Sequence, residues 1–566
     1  MMLQRDRVRE LEYYSSLPLL RVERYCDQME KELGEIRERY GVDAPDYGKP
    51  LEPHHQRILD RFVKNIQVLC REPSMKGQIS SHPLREYTVI SRLDRFEQEI
   101  HPFRESFLRH ESPDTPGQEQ GVRDARHRTG GRSPPLSRMP SRSTLMDRKY
   151  PGSLRQPIHH IRRIAVRDPD RCEFCEICET LVPCARAESR RVEDCTGCGA
   201  CAAACPQEAI RMEEGEGAGM VTVTVDGEGV AVPAGVTVQQ ALEYLGHTFG
   251  RFPGEGDHFA PCRTGGCGAC ALAIDGALRQ SCITPVRDGM EIRTELPAGT
   301  FPLRAVTGWT GHGVGGVGTP WQLQGSRPLI EAAVFACGCN LRCPQCQNWT
   351  VTYRGVEPPL TPREAAVRMT VERRRLGVSR MAISGGEATL NRPWLLRYLE
   401  ELLRLNPDPG ARFHVDTNAT ILSRDYLDSL VEAGMTDIGP DLKGLRTETF
   451  IAITGISDTG LATRYLRTSW DAVRYLSDRY SGRIFMGVGI PYHPLLIPRE
   501  EITRMGDALC RIDPGIQVTV LDYRPAFRRR DLARPAVQEM REVRALLTGT
   551  GLRMVISQTA AGPLGP

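Results

Sequence analysis

The chain has 566 residues, a formal net charge of +3, and charged and apolar fractions of 26% and 40%. That length exceeds one hydrophobic core and implies several domains, and the near-balanced charge gives no argument for a nucleic-acid or membrane-surface partner. No apolar run reaches the roughly eighteen residues of a bilayer span, and the charged start from Met1 to Glu10 lacks an apolar signal core, so a cytoplasmic protein with no membrane partner is expected.

In chain order, residues 1–110 are expected to be helical. Val22, Cys26, Met29, Leu33, Ile36 and Tyr40 recur at spacings of four and three, and Ile58, Phe62, Ile66 and Leu69 do the same. Residues 111–157 are rich in Pro, Gly, Ser and Arg without periodicity, which reads as a disordered, solvated linker.

Beyond the linker the informative residue is cysteine. The chain holds 19, and all but Cys26, Cys70 and Cys510 fall into four groups of four. Tight x2 spacing in a long chain favours soft-metal sites over disulfides, and such sites imply an anaerobic setting. Two groups lie within 158–215: Cys172-x2-Cys175-x2-Cys178-x5-Cys184 and Cys195-x2-Cys198-x2-Cys201-x3-Cys205-Pro206. The third lies within 219–296, with Cys262-x4-Cys267-x2-Cys270-x11-Cys282 after a segment that reads as a hairpin and a helix. Residues 297–327 read as a Gly-rich connector. Its GHGVGGVG at 311–318 lacks the Lys-Ser/Thr ending of a phosphate loop.

From 328 to 560, short apolar runs alternate with helical patterns. The strand candidates are 330–336, 380–384, 413–416, 436–441, 484–489 and 517–521. Thr361-Pro362-Arg363-Glu364 opens one helix with a capping box and Pro at the first helical position. Repeated strand–helix units predict a parallel sheet, and six of them a partial (β/α)6 barrel. The fold class expected is therefore α/β at the C-terminus, preceded by α+β cysteine-rich domains and the N-terminal helical region.

Chemistry in such a barrel sits where strands end. Those ends carry Cys337-Gly-Cys339-x3-Cys343-x2-Cys346, then Gly385-Gly386-Glu387, Asp416-Thr417-Asn418, Asp441-Leu-Lys443 and Ile490-Pro491. The triplet alone is also compatible with half a zinc site. With its companion motifs, the segment resembles the radical S-adenosylmethionine superfamily and is similar to the activating enzymes of glycyl-radical enzymes. The resemblance implies that Cys339, Cys343 and Cys346 hold a [4Fe–4S] cluster whose open iron chelates S-adenosylmethionine. An electron from that cluster then breaks the sulfonium–C5′ bond, and the resulting 5′-deoxyadenosyl radical takes hydrogen from a substrate. It further implies that Gly385, Gly386 and Glu387 receive the methionine amino group, that Thr417 and Asn418 border the cofactor, and that Asp416 and Asp441 hold a monovalent cation. The resemblance also implies that Lys443 contacts the cofactor and that Ile490-Pro491 lies on its adenine side. Two positions depart from the family pattern: Gln345 where an aromatic residue is usual, and Ala419 where Gly is usual. Cys337 reads as a buried thiol outside the ligand set.

The upstream groups resemble a dicluster ferredoxin and a plant-type [2Fe–2S] ferredoxin of the kind found in electron-entry subunits. The resemblance implies one [4Fe–4S] cluster on Cys172, Cys175, Cys178 and Cys205, and a second on Cys195, Cys198, Cys201 and Cys184. The [2Fe–2S] cluster falls to Cys262, Cys267, Cys270 and Cys282. The expected function is a radical enzyme with a fused electron relay that forms a glycyl radical on a partner protein. Alternatives are modification of a peptide or small-molecule precursor, and an electron-transfer subunit without catalysis. No flavin or nicotinamide fingerprint occurs, so an external ferredoxin, flavodoxin or reductase is expected as donor.

Overall fold

The computed structural model describes residues 162–184, 192–297, 299–325 and 328–566. All belong to the second of two compact units, Leu154–Pro566. The helical region over 1–110 and the linker over 111–157 lie outside the described residues.

The first cysteine-rich segment is framed by β1 (Arg163–Arg167) and β2 (Ile210–Glu214), which pair antiparallel with Arg163 opposite Glu214. Between them lie two short helices, α1 (Ile177–Thr180) and α2 (Ala200–Ala204), packed through Ile177, Leu181, Val182, Ala200 and Ala204. Their few residues make a core too small to hold such a segment alone.

Next, β3 (Met220–Val225) and β4 (Glu228–Pro233) form a hairpin. The helix α3 (Val238–Tyr244) follows, opened by a Thr237–Gln240 capping box. A two-residue pair, β5 (Phe249–Gly250) and β6 (His258–Phe259), precedes β7 (Ala271–Ile274), β8 (Ala277–Gln280) and β9 (Glu291–Arg293). The sheet runs β4-β3-β9-β7-β8 and buries Val223, Val232, Leu242, Leu272 and Ile292 together.

The largest sheet has nine strands in the order β12-β10-β11-β13-β14-β15-β16-β17-β18. These are β10 (Arg304–His312), β11 (Glu331–Ala336), β12 (Pro359–Leu360), β13 (Arg380–Gly385), β14 (Arg412–Thr417), β15 (Asp437–Pro440), β16 (Phe485–Tyr492), β17 (Gln517–Asp522) and β18 (Met554–Ser557). From β11 to β18 every pairing is parallel. Helices α4 (Pro362–Leu376), α5 (Arg392–Leu405), α6 (Arg424–Glu432), α7 (Thr447–Thr454), α8 (Thr459–Tyr480), α9 (Arg499–Ile512) and α10 (Val537–Gly549) supply the crossovers. The capping box at Thr361 is formed: its Oγ1 accepts from Glu364 N at 3.3 Å, and the Glu364 carboxylate accepts from Thr361 N at 2.8 Å.

Two features differ from the sequence reading. Seven parallel strands are present rather than six, because the seventh, Met-Val-Ile-Ser, is too short to show a period. Part of the connector is the nine-residue strand β10, antiparallel to β11 with a register shift between Thr307 and Thr310. Gly308 sits at that shift with φ of 71°, against Phe335; two glycines in the run mask its alternation.

Alternation decides what each face of this sheet does. One set of side chains, including Val334, Ile383, Val415, Ile438, Val488 and Val518, is buried beneath the helices. The other set is mostly polar or absent: Glu331, Arg380, His414, Asp416, Asp437, Gly439, Gly487 and Gly489, with Ala333, Phe335 and Ala382 among them. The Gly-rich connector lies against it. A Cβ on Gly316 would meet Asp416 Oδ2 at 2.2 Å, one on Gly318 would meet His414 Nε2 at 2.5 Å, and one on Gly487 would meet Val317 O at 2.2 Å. Buried ion pairs hold this face together. Arg380 lies 3.0 Å from Asp437 and 3.7 Å from Glu331, and His414 lies 3.2 Å from Glu331 and 3.0 Å from Asp416. Burial opposes a charged imidazole here, but Asp416 and Glu331 outweigh it and raise the His414 pKa to about 10.

Candidate active site

The loop after β11 carries the cysteine triplet, and backbone bonds to neighbouring elements fix its path. Gly338 N donates to Thr352 O at 3.1 Å and Arg342 N to Thr454 O at 2.8 Å. Gln345, at the position where the family has an aromatic ring, is fully buried; its amide donates to Ile453 O at 2.9 Å. Cys339, Cys343 and Cys346 line a cavity of about 510 Å³ that also reaches Gly385, Gly386, Asp416, Thr417, Asn418, Asp441 and Lys443. Motifs from the ends of successive strands thus collapse into one site. Burial pushes the Cys343 thiol up to about 12, with Lys443 acting in the opposite sense, and burial raises Cys339 and Cys346 as well.

The Gly385-Gly386 turn folds back onto the triplet loop, with Gly386 N donating to Ala336 O at 2.8 Å and Glu387 N to Gly338 O at 2.9 Å. Only glycine fits there. Gly385 has φ of 112°, and a Cβ on Gly386 would lie 2.4 Å from Gly338 O. The Arg304 guanidinium, fully buried, braces the same turn by donating to Glu387 O at 2.5 Å, to Ala388 O and to Cys337 O.

Glu387 takes a place different from the expected one. Its carboxylate is 1% exposed and does not line the cavity. It accepts from Thr389 N (3.0 Å), Thr389 Oγ1 (2.6 Å), Thr417 Oγ1 (2.7 Å) and Asn418 N (2.6 Å). It therefore ties the end of β13 to the end of β14 and leaves the glycine backbone to face the cavity. Asn418 Nδ2 donates to Asn340 Oδ1 at 2.9 Å, which locks the third motif to the triplet loop. Ala419 follows with φ of 56°, the left-handed region in which the usual Gly is at ease.

Lys443 Nζ lies 3.1 Å from Asp441 Oδ2. Burial opposes its charge, but Asp441 keeps its pKa above that of an ordinary lysine. Asp416 faces His414 and Asp441 faces Lys443, so both carboxylates expected to hold a monovalent cation already meet a protein cation. The donor set fits an iron–sulfur cluster: three soft sulfur donors, with polar backbone and one lysine lining the same cavity. Residues that the sequence reading left out also line the cavity, among them Gly316, Val317, Gln517, Thr519, Tyr523 and Gln558. Pro491, expected on the adenine side, lines it too. The signal for the first two was the small-residue run at 313–318, which reads equally as a connector.

The upstream cysteines are brought together in sets. Cys262, Cys267, Cys270 and Cys282 are all buried and close enough to perturb one another's ionisation. Cys175 has Cys205 and Cys172 as electrostatic neighbours, whereas Cys198 has Cys184 and Cys195. These neighbours are those of the crossed ligand sets that the resemblance implies. Among the described residues no three ligand-type side chains close to the distance a single ion requires. The thiolates of a cluster bind separate irons and stand wider than that.

Residues 334–495 match the Radical SAM superfamily, 218–297 a 2Fe-2S iron-sulfur cluster binding domain, and 191–211 a 4Fe-4S binding domain. The chain is 32% identical over 117 residues to PqqA peptide cyclase of Rhodopseudomonas palustris, which covers 21% of this chain and 29% of that protein. It is 37% identical over 79 residues to an NADH-quinone oxidoreductase polypeptide of Mycobacterium tuberculosis, covering 14% and 9%. The chain thus spans less than a third of the length of either relative. Solved structures similar to part of it include Streptococcus suis SuiB bound to S-adenosylmethionine (16% identity, TM-score 0.29, 39% of this chain and 44% of that one). Coproporphyrinogen III oxidase from Escherichia coli is another (19% identity, TM-score 0.29, 39% and 52%). Among the described residues, no helix is long and apolar enough to cross a membrane.

Proposed function

From a radical S-adenosylmethionine domain joined to iron–sulfur domains, we propose an enzyme that cleaves S-adenosylmethionine reductively and uses the radical to abstract hydrogen from a polypeptide. The observation that carries this reading is one cavity lined by the cysteine triplet, the Gly385-Gly386 turn, Asp416–Asn418 and the Asp441–Lys443 pair. Cys339, Cys343 and Cys346 would hold the cluster, which with bound S-adenosylmethionine supplies the reductive cleavage. The glycine backbone of residues 385–386 is positioned to accept from an amino group, while Arg304 and Glu387 hold that backbone rigid from behind. Lys443 presents a fixed positive charge for a carboxylate. Clusters held by the dicluster and [2Fe–2S] ligand sets would supply the electron, received in turn from an external donor of the ferredoxin, flavodoxin or reductase class.

Two polypeptide substrates are in view. The likeness to a peptide cyclase favours modification of a peptide. The Asp-Thr-Asn and Asp-x-Lys motifs favour a glycyl radical on a partner protein, as in the activating enzymes that the sequence resembles. Anaerobically reconstituted protein should carry about 14 irons and release 5′-deoxyadenosine when given dithionite and S-adenosylmethionine. Fully loaded protein that releases none would sink the enzyme reading. A glycyl doublet in the EPR spectrum on mixing with a neighbouring-gene protein would select activation, and a mass change in a neighbouring-gene peptide would select peptide modification.

A further inference from the structure

The two upstream cluster-binding segments touch the triplet loop on different sides, and the contacts are unequal. The [2Fe–2S] loop meets it backbone to backbone. A Cβ on Gly266 would lie 2.7 Å from Gly338 N and 2.9 Å from the Cys337 carbonyl carbon; one on Gly338 would lie 2.7 Å from Cys267 N and 3.2 Å from Cys262 Cβ. Two facing glycines therefore bring two ligand loops closer than any side chain allows. Arg342 then links them through a single guanidinium, which donates to Cys339 O at 2.8 Å and to Cys262 O at 2.5 Å. Both acceptors are the carbonyls of expected ligand cysteines. Asn391 adds a bond to Cys267 O at 3.2 Å from the helix after the Gly-Gly-Glu turn. Cys262, Cys267, Cys339 and Leu341 share one buried cluster.

The dicluster segment reaches the triplet loop by a longer route. The Arg528 guanidinium donates to Cys205 O at 3.1 Å and to Ala202 O at 2.8 Å, while its backbone N donates to Pro344 O at 2.9 Å. Side chains also separate the two ligand loops elsewhere: Cys175, Cys184 and Cys198 pack with Trp349, Tyr353 and Phe527, so the approach runs through Arg528 and an aromatic layer rather than backbone to backbone. Toward the [2Fe–2S] loop the dicluster segment is closer. Pro183, next to Cys184, lies 3.4 Å from where a Gly265 Cβ would stand, and Gly355 is wedged against both Thr264 O and Pro183.

Electron tunnelling falls steeply with edge-to-edge separation, so the shorter contacts define the order. Resting on the proposed function, we propose that the [2Fe–2S] centre is the immediate electron donor to the triplet-loop cluster, through the Gly266–Gly338 contact and the Arg342 bridge. The dicluster segment feeds the [2Fe–2S] centre at Pro183–Gly265. One electron would pass from a [2Fe–2S] cluster held by Cys262, Cys267, Cys270 and Cys282 to the cluster held by the triplet; the dicluster segment would return one electron to the former and be re-reduced in turn by the external ferredoxin-class donor.

The test uses the full-length, reconstituted protein. In dithionite-reduced samples, the [2Fe–2S] EPR signal should relax faster than in a Cys343→Ala/Cys346→Ala variant, because the neighbouring paramagnet is gone from the variant. This readout does not require cleavage, so it stands even where the proposed function fails. In rapid freeze–quench experiments with S-adenosylmethionine, Arg342→Met should slow oxidation of the [2Fe–2S] centre at least tenfold at unchanged iron content. Arg528→Met should leave that step unaltered. Relaxation indifferent to the Cys343/Cys346 variant, or a step slowed by Arg528→Met and untouched by Arg342→Met, would overturn the order. An iron content that falls in Arg342→Met transfers the decision to Gly266→Val, which wedges the same contact from the other side and is expected to slow the same step.

Discussion

The resemblance and the structure assign Glu387 different work, and one substitution separates them. If its carboxylate bound the methionine amino group, Glu387→Gln would weaken cofactor binding and leave the fold untouched. In the structure Oε1 accepts three donors and Oε2 accepts Asn418 N at 2.6 Å, all of it buried. A glutamine can keep its carbonyl on the three-donor side, but its NH2 then faces the Asn418 N–H. One charge-assisted bond is lost and one buried donor is left unsatisfied, together about 3 kcal/mol. Glu387→Ala strands more donors and should cost about 5 kcal/mol. Anaerobic urea unfolding followed by Trp394 fluorescence reports on this region, since Trp394 is fully buried a few residues beyond Thr389. Equilibrium dialysis of S-adenosylmethionine gives the second axis. A Glu387→Gln protein as stable as the parent that has lost cofactor binding would refute the scaffold role.

Three other outcomes follow from the same geometry. The folded His414 pKa is raised, so its stabilising contribution is complete below the unfolded value of about 6.5 and fades as pH climbs through about 10. Urea midpoints should fall across that window, and His414→Gln, which breaks a buried charge network at a cost of roughly 3–5 kcal/mol, should show a flatter profile; parallel profiles would contradict the assignment. Cys337 is buried but outside the proposed ligand sets, so Cys337→Ala should keep about 14 irons, whereas loss of the triplet-loop cluster in Cys346→Ala should leave about ten by iron assay. Arg304→Met removes a buried guanidinium from two carbonyls at the Gly-Gly-Glu turn and one at Cys337, and should destabilise by about 3 kcal/mol while weakening cofactor affinity; unchanged dialysis would mean that the turn holds itself.

Much of this protein was legible in one dimension because its chemistry is local. The cysteines proposed as cluster ligands sit on short loops, so x2 and x3 spacings suggest that chemistry before any folding, and strand–helix alternation follows from periodicity. Other features needed three dimensions. Whether Glu387 faces the cavity or the scaffold depends on Thr417 and Asn418, some thirty residues away, arriving within hydrogen-bond reach. The pairing of His414 with Glu331 and Asp416 requires β11 beside β13 and β14, an order that no spacing encodes. The Gly-rich run at 311–318 reads as a connector until its backbone lies against Asp416 and His414, where a Cβ on Gly316 or Gly318 would collide. Gly266 and Gly338 are ordinary loop glycines in the sequence. Only the packing of one ligand loop on another turns them into a contact, because close approach is a property of two segments and the sequence presents them one at a time.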